Sequence, residues 1–208
     1  HKEQALAIVD EVDPVARRIG AISCVVVRED GSLWGTNNDA FGFVHNILHQ
    51  RPTWRADAGP AVVIGAGGGA RAVVHSLVER GAPEVRLVNR TRARADALVR
   101  DFGGAVVAVD WDDRHRVLAD AAMLTNTTSQ GMVGQSPLEL DLTSLPPSAL
   151  VCDIVYVPLE TPLLAAAKRR GNPTVDGLGM LLHQARPACR PRSWSYTTTA
   201  SPLRKPQR

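Results

Sequence analysis

The sequence predicts an α/β fold, a parallel sheet with helices on both faces, preceded by a smaller α/β piece. Three observations carry this expectation. From Ala61 onward, short apolar runs alternate with amphipathic stretches at the spacing of βαβ units. The first of these runs, Ala61–Ile64, leads straight into the glycine run that begins at Gly65. Upstream of a polar, proline-containing stretch from Gln50 to Pro60, the pattern is instead short helix, hairpin, helix.

The elements follow in order. Glu3 to Val9 has helical character, and Asp13-Pro14 reads as an N-cap with proline at the first helical position. Gly20 stops that helix. Ser23–Val27 and Leu33–Thr36 flank Glu29-Asp30-Gly31, the signal of a hairpin. A helix begins near Asp39 and runs through Leu48, and Gln50–Pro60 reads as a linker or surface loop. Beyond it come strand Ala61–Ile64, a helix to about Arg80 ended by Gly81, strand Val85–Val88, helix Arg92–Phe102 and strand Ala105–Val109. Met123–Asn126, Leu150–Ile154 and Thr174–Val175 are further strands. Helical stretches lie near Arg114–Leu118, over Pro162–Arg170 and over Gly179–Ala188. The tail is rich in Arg, Pro, Ser and Thr and predicts no regular structure.

Composition bounds the function. A chain of 208 residues with 44% hydrophobic content has room for one to two domains with an ordinary core. No apolar run reaches the roughly 18 residues that span a bilayer. His1-Lys2-Glu3-Gln4 lacks the apolar core of a signal peptide, and the absence of an initiating methionine predicts a fragment. Cys24, Cys152 and Cys189 are scattered without metal or disulfide spacing, which points to a reducing, cytoplasmic setting. The net charge of +3 belongs to the tail. From Arg186 onward there are six Lys or Arg and no acid, leaving 18 basic against 21 acidic residues before it. Basicity confined to a tail, with no aromatic–basic patch, argues against a nucleic-acid partner. His45 and His49 lie four apart, but no carboxylate pattern accompanies them, so no metal is expected.

The chemistry lies at Gly65-Ala66-Gly67-Gly68-Gly69-Ala70, a G-x-G-x-x-A sequence between a strand and a helix. Gly65 permits the tight turn, Gly67 lets backbone approach a pyrophosphate, and Ala70 lets helix and strand pack closely. Phosphates then meet free N–H groups at the helix N-terminus. This is the Rossmann-like arrangement that binds a dinucleotide. The second strand ends Asn89-Arg90-Thr91, where NAD-preferring domains carry an acid for the ribose 2′-hydroxyl. No carboxylate stands there. Arg90, with Arg94 one helical turn on, offers guanidinium to a 2′-phosphate, which predicts NADP(H) over NAD(H).

Several motifs in the same order resemble the shikimate dehydrogenase family. They are the glycine turn followed by Asn89-Arg90-Thr91, and Asn126-Thr127-Thr128-Ser129-Gln130-Gly131-Met132. Asp153-Ile154-Val155-Tyr156-Val157-Pro158 with Thr161-Pro162-Leu163 follows, then Asp176-Gly177-Leu178-Gly179-Met180-Leu181 with Gln184-Ala185. Upstream, Gly35-Thr36-Asn37-Asn38-Asp39 is similar to the family's G-x-N-T-D. The resemblance covers residues 1 to about 188. It implies reversible, NADPH-dependent reduction of 3-dehydroshikimate to shikimate, in aromatic amino-acid biosynthesis, by a monomer or homodimer without membrane or nucleic-acid partners. The alternatives are a quinate/shikimate dehydrogenase of broader specificity and a non-catalytic NADPH-binding relative.

The resemblance also implies roles. Lys2 aligns with the family's catalytic lysine and Asp39 with its partner aspartate. Lys2 would act as general acid/base and Asp39 would hold its ammonium and bind the substrate hydroxyl. Asn37 would shape that turn. Tyr156, Gln184 and Ser23 would bind substrate, while Thr127, Met132, Gly177 and Met180 would line the nicotinamide end. Read by residue type alone, Lys2 is a terminal surface lysine and Asp39 a helix cap.

Three departures stand out. The family's front segment, with a serine pair and threonine for the substrate, does not precede His1, which predicts little or no turnover by this polypeptide alone. Gly20-Ala21-Ile22-Ser23-Cys24 replaces G-A-x-N-T, trading a two-armed amide for one hydroxyl at Ser23. The sequence after Ala188 does not resemble the family's last helix. The expected domains are a partial substrate-binding unit over 1–38, an NADP-binding unit over 39–176, a helix of the substrate unit over 177–188, and an irregular tail over 189–208.

Overall fold

The computed structural model describes residues 1–188; the tail over 189–208, with Cys189, lies outside the described residues. Two sheets organise the chain. The smaller contains β1 (Glu11–Val12), β2 (Cys24–Val27) and β3 (Leu33–Thr36), in the order β1-β3-β2. β2 and β3 form the expected antiparallel hairpin, with Cys24 opposite Thr36 and Val27 opposite Leu33. Asp30 Oδ1 accepts from the Ser32 N–H and hydroxyl at 3.0 and 2.7 Å, and Gly31 takes the left-handed φ of +83° the turn needs. β1, parallel to β3, was not expected. Two residues are too few to display an alternating period.

The helix α1 (Pro14–Ile19) starts as its sequence predicts: Asp13 Oδ1 accepts from the N–H groups of Val15 and Ala16 at 2.9 and 3.2 Å. Gly20, at φ +72°, ends it. The helical stretch expected from Glu3 to Val9 shrinks to one 3-10 turn, Gln4–Ala7, which buries none of its residues. Without an apolar face to pack, a longer helix has nothing to hold it. The helix α2 (Asp39–Gln50) begins where expected and buries Phe43, Val44 and Ile47. The loop after it is not wholly superficial. Trp54 packs on the core, and a 3-10 turn over Ala56–Ala58 buries Ala56.

The larger sheet holds β4 (Ala61–Ile64), β5 (Val85–Val88), β6 (Val106–Val109), β7 (Met123–Asn126), β8 (Leu150–Asp153) and β9 (Thr174–Val175). All its pairings are parallel, in the order β6-β5-β4-β7-β8-β9. α3 (Gly68–Glu79), α4 (Arg92–Phe102), α5 (Pro162–Arg169) and α6 (Leu178–Ala188) complete the fold. Each face carries its own apolar cluster: Val63, Val73, Leu77 and Leu87 on one, Val62, Ile64, Leu124 and Val151 on the other. Successive residues of β4 thus serve opposite faces, which is why its sequence reads as an unbroken apolar run. The helix expected near Arg114–Leu118 resolves into two 3-10 turns, Trp111–Asp113 and Arg116–Leu118, with Arg114 stacked on Trp111. Among the described residues no helix is long and apolar enough to cross a membrane.

Candidate active site

Strand order reverses between β4 and β7, and the crevice at their C-terminal ends is where such sheets accept ligands. Backbone ties stitch the crevice together. The Gly65 N–H donates to the Val88 carbonyl at 2.8 Å, and Thr127 donates both its N–H and hydroxyl to the Ile64 carbonyl at 2.8 and 2.7 Å. Gly65 sits at φ +112°, and a Cβ there would lie 2.5 Å from Thr127 Oγ1. Only glycine fits. Gly67 has open space on its Cβ side, and no side chain caps the start of α3. The first-turn N–H groups therefore face the crevice without intrahelical partners. A Cβ on Gly69 would come within 2.9 Å of Ile154 Cδ1, and Ala70 is fully buried. Gly65, Ala66, Gly67, Gly68, Gly69 and Ala70 form a cradle that fits a pyrophosphate.

At the end of β5, the Asn89 amide donates to the Thr91 carbonyl at 2.8 Å and fixes the turn. Arg90 and Arg94 are exposed, and among the described residues neither makes an ion pair. Arg92 differs: Asp96 and Asp110 hold it at 2.9 and 2.6 Å. Two uncommitted guanidinium groups thus stand where an NAD-type site would place an acid.

The ends of β7 and β8 carry a buried polar knot. Asn126 Oδ1 accepts from the Thr128 N–H and hydroxyl, while its amide donates to Asp153 Oδ1 at 3.0 Å and to the Gln130 carbonyl at 3.1 Å. Asp153 also accepts from the Val155 N–H at 3.0 Å and the Thr161 hydroxyl at 2.7 Å. Burial pushes the Asp153 carboxyl up to about 6 against the pull of these hydrogen bonds. The same region drives the Cys152 thiol upward, through burial first and the neighbouring Asp153 second.

Across the crevice mouth, Lys2 Nζ donates to Asp39 Oδ2. The Asp39 side chain is only 3% exposed, whereas Lys2 remains 46% exposed, so the carboxylate is fixed and the ammonium is reachable. Asp39 opens α2, where the helix N-terminus favours negative charge. Its N–H donates to Asn37 Oδ1 at 2.9 Å, and the Asn37 amide donates to the Ala21 carbonyl at 2.8 Å. The Ile22 N–H donates to the Lys2 carbonyl at 2.9 Å, and the Asn38 N–H donates to Ser23 Oγ at 2.8 Å. The stem of Lys2 lies against the glycine turn. A Cβ on Gly68 would be 3.1 Å from Lys2 Cβ and Cδ.

The remaining expected residues divide between surface and core, with Gly177 and Met180 buried. Met132 and Tyr156 are exposed, and among the described residues no hydrogen bond joins Tyr156 or Gln184 to the Lys2–Asp39 pair. A Cβ on Gly177 would collide with the carbonyls of Ile154 and Val155. Met180 and Gln184 line the face of α6 that meets α2, where a Cβ on Gly42 would approach the Met180 carbonyl to 2.6 Å.

Two features escaped the sequence. Arg71, one turn into α3, is buried and reaches across to α1. His45, His49 and His183, unremarkable as separate residues, converge where α2 meets α6. Phe41 stacks on His45 at 3.8 Å, and His183 lies 6.0 Å from His45 and 5.5 Å from His49. Only the i,i+4 pair was visible in the sequence; His183 arrives from far along the chain. Among the described residues no group of three or more His, Cys, Asp or Glu could hold a metal ion.

Sheet order and glycine turn together define a dinucleotide-binding α/β protein of the Rossmann type. The family model described as shikimate / quinate 5-dehydrogenase matches residues 49–154. A shikimate dehydrogenase (NADP(+)) from Paramagnetospirillum magneticum is 58% identical over 187 residues, covering 90% of this chain and 68% of that protein. Among solved structures, a quinate dehydrogenase from Corynebacterium glutamicum in complex with NAD superposes with a TM-score of 0.83 at 34% identity. It covers 90% of this chain and 67% of that one. The Thermus thermophilus shikimate 5-dehydrogenase, in complex with NADP(H) and shikimate, gives 0.77 at 38% identity over the same shares. The chain belongs to the shikimate/quinate dehydrogenase family.

Proposed function

We propose that this chain carries the cofactor cradle and proton-transfer pair of an NADP-dependent shikimate dehydrogenase, interconverting 3-dehydroshikimate and shikimate. The observation that carries this reading is the position of the Lys2–Asp39 pair, set directly against the glycine turn at Gly68. A nicotinamide dinucleotide, when bound, supplies or receives the hydride. The first-turn N–H groups of α3 bind its pyrophosphate, and Arg90 and Arg94 bind a 2′-phosphate, with Asn89 and Thr91 shaping the turn between them. Thr127, Met132, Gly177 and Met180 line the nicotinamide end.

Lys2 Nζ delivers a proton to the carbonyl oxygen of the ketone as the alcohol forms, and withdraws it in the reverse direction. Asp39 keeps the ammonium aimed and accepts a hydrogen bond from the neighbouring substrate hydroxyl. Ser23 Oγ, already accepting from Asn38, retains its own proton for donation to substrate. Tyr156 and Gln184 supply further hydrogen bonds. Residues 1–38 and 177–188 form the substrate side, and 39–176 the cofactor side. Two described cysteines, Cys24 and Cys152, are free, in keeping with a cytoplasmic setting.

Calorimetric titration tests the cofactor half: NADP+ should bind at least tenfold more tightly than NAD+. In the R90A/R94A double variant the two affinities should converge. Preference for NAD+, or binding of neither, would refute the assignment. Shikimate-dependent NADPH formation tests the chemistry, on the protein with any residues its gene encodes ahead of His1. K2M and D39N should each lower kcat roughly a hundred- to ten-thousandfold. Because the matching family model names quinate beside shikimate, quinate turnover belongs in the same assay, and shikimate is expected to be the better substrate.

A further inference from the structure

We infer that Arg71 is a positioning residue that holds the Lys2–Asp39 pair in register with the cofactor turn, an inference that rests on the function proposed above. The argument starts with its burial. Arg71 lies one turn into α3, its N–H bonded to the Gly67 carbonyl at 3.0 Å, so its backbone is part of the cradle itself. Its side chain is 10% exposed and leaves the sheet region altogether. Nε donates to the Ile19 carbonyl at 2.7 Å, at the end of α1, and Nη2 donates to Asp101 on α4. The Phe102 ring lies 5.9 Å from the guanidinium carbon. A buried guanidinium must be bonded on every side it is desolvated, and here its partners come from two other elements.

The contact with α1 has consequences for sequence. Gly20, next to Ile19, packs against the guanidinium so closely that a Cβ would collide with Nη2, and it also carries φ +72°. Glycine is therefore required twice over. Its remaining side borders an open groove lined by Pro14, Arg17, Arg18 and Asp101.

From Ile19 the chain runs directly to the reacting groups. Ala21 accepts from the Asn37 amide, Asn37 accepts from the Asp39 N–H, and the Ile22 N–H holds the Lys2 carbonyl. Ser23 receives the Asn38 N–H. The segment Ile19–Ser23 thus sets both Lys2 and Asp39. Ile19 and Ala21 pack on Ala72 of α3, a contact without direction, and Arg71 adds the hydrogen bond that fixes the register of the segment's start on that helix. Arg71 touches neither reacting group. Its effect passes through that segment.

The test combines amide exchange with kinetics on R71M and R71K, made in the protein with any residues its gene encodes ahead of His1. In R71M, the amides of Ile22 and Asp39 should exchange roughly tenfold faster, while those of β4 and β7 keep wild-type rates. The kcat for shikimate should fall on the order of a hundredfold, with KM for NADP+ within about threefold of wild type. R71K, whose ammonium reaches one acceptor but not both in a fork, should recover part of kcat. Wild-type exchange at Ile22 and Asp39 in R71M, or a rise in KM for NADP+ without loss of kcat, overturns the inference. If R71M does not fold, D101N replaces it. Asp101 is half-exposed, so the variant should fold and should quicken the same two amides by two- to threefold, about the effect of loosening one end of a clamp. Unchanged amides there overturn the inference equally. A wild-type protein, with any residues its gene encodes ahead of His1, that neither binds NADP+ nor oxidises shikimate would refute the proposed function, while the exchange measurement would still decide what Arg71 holds.

Discussion

At the scale of single residues, Asp153 sets two opposing effects against each other. Burial favours the neutral carboxyl, whereas Thr161, Val155 and Asn126 favour the charged one, and burial wins, leaving it at about 6 against an ordinary 3.8. A carboxyl raised on folding binds its proton more firmly in the native state than in the unfolded chain. Its contribution is therefore favourable at low pH and is lost as pH rises between about 4 and 6, a change on the order of 3 kcal/mol. Denaturant unfolding of wild type and D153N across that window should show a difference that grows against the wild type as pH rises. A constant difference would mean that the carboxyl is charged throughout. Gly179 offers a steric prediction of a different kind. A Cβ there collides with the Asn46 carboxamide, which itself donates to the Asp176 carbonyl at 2.6 Å and accepts from Gln50 at 2.8 Å. G179A should cost about 1–3 kcal/mol in the same assay.

Among elements, the pairing of α2 with α6 is pH-sensitive. Burial lowers the His45 imidazole from its ordinary value, and His183, Arg186 and Arg80 push it in the same direction. Burial likewise lowers His183, with His49 and Arg186 adding to the effect, and its Nδ1 has no hydrogen-bond partner. Groups lowered on folding take up protons more readily when unfolded, so stability should be complete above about pH 6.5 and fall as pH drops below it. A H45Q/H183Q double variant should flatten that fall, read as melting temperature against pH. Since Asp153 acts oppositely near the same pH, the comparison must be variant against wild type.

Sequence disclosed the elements unevenly for physical reasons. α1 carried both its stop signals and its cap, and the helix Arg92–Phe102 its full period, so each was placed to the residue or nearly so. The two-residue β1 and the 3-10 turns at Trp111–Asp113 and Arg116–Leu118 have no periodicity to read. The glycine turn was legible because the backbone there restricts residue type. Arg71 and the three histidines were not, because their partners lie on other elements brought close only by packing.

For the whole molecule, ligand binding should appear as stability. NADP+ at roughly a hundredfold excess over its Kd should raise unfolding free energy by about 2.7 kcal/mol, and thermal shift assays should register it. NAD+ at the same concentration should give a smaller shift. The R90A/R94A variant should respond alike to both.

The union of the second helix with the last has a consequence for biosynthesis. Asn46 bonds to a carbonyl 130 positions later, so the contact of α2 with the segment leading into α6 waits for nearly all of the described chain to be made. On the ribosome that helix would meet α3 soon after it emerges, while the side that receives α6 stays open, a natural customer for a chaperone, until α6 clears the exit tunnel. Closing so wide a loop is slow relative to forming the central strands. The pieces that meet last in time would be α6 and α2, the helix that Asp39 opens, so the proposed proton-transfer pair would gain its full support only at the end of maturation.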